Sequence, residues 1–134
     1  MALFSKKLKI KPTVETQGLR IEFDSENEIW QFRDGDFDFV VYGETCAVPS
    51  PEQLRDIRAV INRLRPEMTR RLAEGLRDCE GAKINDGETF LVNLTELQSQ
   101  GAFEVCWSGG ESWGDMGIDF AIKNHEITDE SWSD

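Results

Sequence analysis

Apolar residues recur at every second position in one short run after another, and no other feature of this sequence narrows its fold so far. Leu19, Ile21 and Phe23 alternate with Arg20 and Glu22, and Phe37, Phe39 and Val41 with Asp38 and Val40. Phe103, Val105 and Trp107 alternate with Glu104 and Cys106, and Ile118, Phe120 and Ile122 with Asp119 and Ala121. Successive side chains of a strand point to opposite faces, so each run describes a strand with one buried and one wet face. Leu8 and Ile10 alternate with lysines over residues 7–11, the pattern of a lysine-guarded edge strand ended by Pro12. Trp30 and Phe32 mark a further strand over residues 29–32. Asp34-Gly35 and Asn124-His125 are turn signals, and residues 126–128 are expected to pair back after the second.

The period changes once. Ser50-Pro51-Glu52-Gln53 joins a capping serine, a proline at the first helical position and a glutamine that completes a capping box, a combination worth about 1 kcal/mol. Leu54, Ile57, Val60, Ile61 and Leu64 then follow at helical spacing. Pro66 is expected to break or kink this helix, leaving Met68, Leu72, Leu76 and Cys79 to a second helical segment that Gly81 stops. Residues 88–98 fit either period. The strand reading over Phe90, Val92 and Leu94 is preferred, because Ser99-Gln100-Gly101 looks like a hairpin turn. The acidic tail from Asp129, which contains Trp132, is expected to be loose. The expected fold is therefore α+β: one domain with an antiparallel meander of about six to eight strands and two helical segments packed on one face, in the order β-rich, αα, β-rich.

Charge narrows the function classes. The 134 residues carry a net charge of −11, distributed in blocks. Residues 22–44 hold eight acids against Arg33, and residues 84–134 hold eleven against Lys123, whereas the helical stretch between them is mildly basic. A nucleic-acid binder needs the opposite bias, and an anionic membrane would repel such a chain. A basic protein partner fits, since complementary fields speed association. The three cysteines, Cys46, Cys79 and Cys106, form no CxxC and cannot all pair within one chain. They imply reduced thiols and a cytoplasmic setting. No apolar signal core follows Met1, and no window approaches the ~18 apolar residues of a membrane span.

The motif candidates are outweighed by bland alternatives. Gly110-Glu111-Ser112-Trp113-Gly114 matches the G-x-S-x-G elbow of serine hydrolases, with His125 downstream, yet the elbow must lead into a helix and residues 118–122 read as a strand. Gly109 to Gly114 has phosphate-loop spacing, but Asp115 and Met116 stand where Lys and Ser or Thr are required. Asp34, Asp36 and Asp38 lack the later ligands of a calcium loop and suit the wet face of a strand. The lone His125 cannot build a multi-histidine metal site, and pairing it with Cys106 as a catalytic thiol set has no supporting motif. Arg55, Arg58, Arg63, Arg70 and Arg71 are interleaved with Glu52, Asp56, Glu67 and Glu74, the pattern of a solvated helix face. No cofactor, metal or catalytic set is expected.

Several segments together carry a resemblance: the Trp30 strand, Pro49-Ser50-Pro51-Glu52-Gln53-Leu54, Phe103 to Trp107, and Trp113-Gly114-Asp115 through Ile118-Asp119-Phe120 to Glu130-Ser131-Trp132. In this layout the chain resembles small bacterial domains found as immunity proteins of polymorphic or contact-dependent toxin systems. The resemblance implies an α+β fold and a non-catalytic cytoplasmic inhibitor; such domains share no catalytic residues. If the toxin is a nuclease with a basic cleft, carboxylates would stand where phosphates go. The expected partner-binding residues are Glu111, Asp115 and Asp119, anchored by Trp113, a tryptophan among acids. Against this, Trp113 could fold back onto the sheet as core. The alternatives are a small hydrolase using Ser112 and a self-assembling structural subunit.

Overall fold

A computed structural model describes residues 14–16, 18–35, 37–43, 49–79, 81, 89–108, 113 and 116–133. The strands are β1 (Val14–Thr16), β2 (Leu19–Asp24), β3 (Ile29–Asp34), β4 (Phe37–Tyr42), β5 (Thr89–Asn93), β6 (Ala102–Ser108), β7 (Gly117–Lys123) and β8 (Glu126–Ser133). A long helix α1 (Pro51–Gly75) lies between β4 and β5, and a single helical turn α2 (Leu97–Gln100) between β5 and β6. The strands form one eight-stranded sheet in sequence order. The α+β expectation holds. Every neighbouring pair is antiparallel except β4 and β5, which run parallel with Phe39 opposite Val92. That exception follows from α1: a parallel neighbour needs a long crossover, and the helix supplies it. The strand expected at residues 7–11 lies outside the described residues.

Local chemistry sets the element ends. Ser50 Oγ accepts from the Gln53 backbone N–H at 3.1 Å and Gln53 Oε1 accepts from Ser50 N–H at 3.0 Å, so the capping box forms as expected. Gly35 supplies a φ of 65° in the β3–β4 turn. Asn124 and His125 both have positive φ, 54° and 65°, which makes β7–β8 a tight two-residue hairpin. Asp24 accepts from the Glu26 and Asn27 backbone and from Asn27 Nδ2, closing the β2–β3 turn; the Asn27 side chain is the first cause of a lowered Asp24 pKa.

Three expectations are corrected. Pro66 does not divide the helix, which is continuous over 25 residues. A helix-interior proline costs about 3 kcal/mol. Here it lies on the exposed side, where water can replace the missing donor. Met68, Leu72 and Leu76 beyond it stay in phase with Leu54, Ile57, Ile61 and Leu64, all buried against the sheet. Breaking the helix would expose them at about 1.5–3 kcal/mol each, so burial outweighs the local penalty.

Residues 89–93 form the preferred strand, but the Ser99-Gln100-Gly101 turn is the end of α2, with Gly101 left-handed at φ 64°. The tail is not loose either. β8 pairs with β7 through Ser133, placing Trp132 opposite Ile118 and Glu130 opposite Phe120. Glu130 binds Arg71 at 3.1 Å and accepts from Trp132 Nε1 at 3.2 Å, which ties the acidic segment to the helix.

The core lies between α1 and one face of the sheet. Phe39, Phe120, Val92, Val105 and Ile122 have no measurable exposure. An aromatic row crosses the strands within it: Phe32 stacks on Phe39 at 5.3 Å, Phe37 lies 5.9 Å from Phe90, and Phe90 meets Trp107 edge-on at 5.2 Å. The Arg65 guanidinium sits 4.5 Å over Phe90 and closes this row against water.

Candidate functional site

Because α1 covers one face, the alternation that buries Phe103, Val105 and Trp107 turns Glu104 and Cys106 to the other. The same holds for Asp119, Ala121 and Lys123 on β7, and for Asp38 and Tyr42 on β4, where Val40 between them is buried. No described element covers this second face, and its two halves differ in charge. On β2 to β4, Arg20 pairs with Glu22 at 3.1 Å and Arg33 with Asp38 at 3.0 Å. The groove there, about 480 Å³ and bordered by these four residues, is internally balanced.

On β5 to β8, Glu104 and Asp119 share the open face, and Glu96 stands at its rim in the β5–β6 connection. No salt bridge among the described residues reaches any of the three. Register explains their proximity. Glu104 lies directly across from Ala121 and Asn93, and Asp119 is the diagonal neighbour two positions from Ala121. Partial loss of water pushes the Glu104 carboxyl above its usual range, and the charges of Asp119 and Glu96 add to the shift.

A depression of about 200 Å³ opens beside this group, lined by Tyr42, Asn93, Thr95, Glu96, Glu104 and Ala121 among others. The small Ala121 leaves the space. Its wall is built by hydrogen bonds: Tyr42 N–H donates to Thr95 Oγ1 at 3.0 Å, and Thr95 N–H to Asn93 Oδ1 at 3.0 Å. Tyr42 is 49 % exposed, the large hydrophobic side chain that stands out among the described residues.

The raised Glu104 pKa has a consequence for stability. A carboxyl whose folded pKa exceeds its unfolded value stabilises the fold below the unfolded value, near 4.5, and that contribution is lost as pH rises through the folded value. Glu104→Gln should therefore raise the melting temperature at pH 7, with the gain vanishing as the pH falls below about 4.5. Melting curves across pH 3.5–8 check this; a gain that persists at the acid end contradicts it.

The expected site residues divide. Asp119 is exposed on the open face. Trp113 is a correction: at 1 % exposure it packs 6.5 Å from Trp107 in the core and cannot anchor a partner there. An isolated tryptophan between glycines has no periodicity to reveal which way it turns. Glu111, Ser112, Asp115, Asp36 and Cys46 lie outside the described residues. Glu104, Glu96 and Tyr42 were missed as site residues; the alternation put Glu104 on the wet face but could not show what stands beside it.

The remaining candidates are engaged elsewhere. His125 Nε2 is 3.4 Å from Asp56 of α1, and its carbonyl accepts from Arg63. Cys106 pairs with Asp119, six residues and roughly 20 Å of strand from His125. Burial pushes its thiol up to about 12, with the Asp119 charge second, so the thiolate a nucleophile needs is suppressed. Asp34 is bound by Arg58 and Asp38 by Arg33, and no three metal-ligating side chains come together among the described residues. Arg70 and Arg71 hold Glu67 down to about 2, so those arginines belong to an ion-paired helix surface. No described helix is long and apolar enough to cross a membrane. Comparison with protein-family models, curated proteins and solved structures finds no match to this chain.

Proposed function

We propose that the chain is a non-catalytic binding domain that meets a basic protein with the open face of its sheet. In its most concrete form it is a cytoplasmic immunity protein that inhibits a bacterial toxin, best suited to a nuclease whose cleft is basic. The observation that carries this reading is the unanswered charge of Glu96, Glu104 and Asp119, beside a half-sheet whose own charges are paired. Like charges gathered without salt-bridge partners cost stability, and a cationic partner removes that cost on binding while steering association. The sheet is a rigid platform, so little ordering entropy is lost when the surface is covered.

The reading requires a toxin-domain gene beside that of this chain, and the test uses that toxin; a neighbourhood without one counts against the immunity role. Cells expressing that toxin should form colonies only when the chain is co-expressed, and the double variant Glu104→Lys/Asp119→Lys should lower survival by roughly a hundredfold or more, since juxtaposed like charges cost several kcal/mol. Undiminished protection by the double variant would move the partner surface elsewhere. No protection by the wild-type chain would remove the immunity reading.

A further inference from the structure

We infer that the depression beside Tyr42 is a subsite for one arginine side chain of the basic partner, an inference that rests on the open face being the partner surface. Size argues first. At about 200 Å³ the space lies below the ~300–1,000 Å³ of clefts that hold small molecules, and suits a single long side chain. Charge argues second. Glu96 and Glu104 border the space and Asp119 stands beside it, which repels anions, while Lys123, which shares this face across from Ala102, makes no salt bridge to any of the three.

The aromatic wall chooses between the two long cationic side chains. A guanidinium is planar and weakly hydrated; it stacks on a ring face while its edge donates in a fork to a carboxylate, which the compact, strongly hydrated lysine ammonium does poorly. Tyr42 offers an exposed ring and Glu104 a carboxylate that accepts one long 3.4 Å hydrogen bond from Asn93 Nδ2. The Asn93–Thr95–Tyr42 hydrogen bonds hold this wall before anything binds. The larger groove on β2 to β4 lacks this character, because Arg20 and Arg33 already answer its acids.

The test is a titration of the intact, isotope-labelled chain with N-acetyl-arginine amide, N-acetyl-lysine amide and the neutral N-acetyl-citrulline amide, followed by amide chemical shifts at low salt. Arginine amide should shift Tyr42, Thr95, Glu104 and Ala121 with saturation, and bind more tightly than the lysine compound; citrulline amide should leave these amides unmoved. Glu104→Gln should weaken arginine binding roughly tenfold, the scale of one charge-assisted hydrogen bond. Tyr42→Ala should erase the preference for arginine over lysine. Equal shifts from arginine and lysine spread over all exposed acids would overturn the subsite, as would unchanged binding by Glu104→Gln. If the toxin assay shows loss of protection in the double variant while this titration fails, the partner face stands and the arginine subsite falls. If the titration succeeds while protection fails, the subsite stands without the immunity role.

Discussion

Trp113→Ala is expected to cost about 3–5 kcal/mol of stability, the range for truncating a buried aromatic. The ring is 1 % exposed and lies 6.5 Å from Trp107, which meets Phe90 at 5.2 Å, so it ends a row of rings running back through Phe37 to Phe39. A close-packed interior relaxes only partly around such a loss, and the lining of the void forfeits its contacts outright. Domains of this kind are stable by about 5–15 kcal/mol in total, so about a fifth or more of the margin would go. Urea unfolding followed by far-ultraviolet circular dichroism measures it. A change below about 1 kcal/mol would mean that the indole does not fill the core.

Gly75→Ala should destabilise the protein, although alanine is the better helix former by about 1 kcal/mol. Trp132 of β8 lies against the glycine: a Cβ added there would stand 2.1 Å from Cζ2 and 2.5 Å from Cη2 of the indole. The obstacle is a ring, tied by its Nε1–H to Glu130, which is in turn tied to Arg71. Either the strand end lifts or the helix end shifts, and overpacking of this sort costs about 1–3 kcal/mol. The net loss is up to about 2 kcal/mol once the propensity gain is subtracted. The double variant makes the cause visible. With Trp132→Ala in place the obstacle is gone, so adding Gly75→Ala should become stabilising. A change of sign between the two backgrounds is the expected result, and the same sign in both would show that the indole does not rest on the glycine.

Strands β2, β3, β4, β6 and β7 and the start of α1 were legible because each is written in local chemistry. Period-two burial marks Phe103 to Trp107, and a serine, proline and glutamine at set offsets mark the helix start. The misreadings came where a local rule met a larger distant term. Pro66 breaks a helix in isolation, but Met68, Leu72 and Leu76 keep it whole by packing on the sheet. The stretch from Asp129 is too acidic to look structured, but β7 offers it a full ladder, and Trp132 and Glu130 dock on α1.

Alternation by itself assigned Glu104 and Asp119 to a wet face, and composition established the excess of acid. Which wet residues become neighbours was left to the sheet. α1 delivers β5 parallel to β4, so Asn93 and Thr95 arrive beside Tyr42; β6 then sets Glu104 across from Asn93, and β7 sets Ala121 across from Glu104. A side chain's face follows from its own strand, whereas its neighbours follow from pairing between segments tens of residues apart, and only the folded chain holds that information.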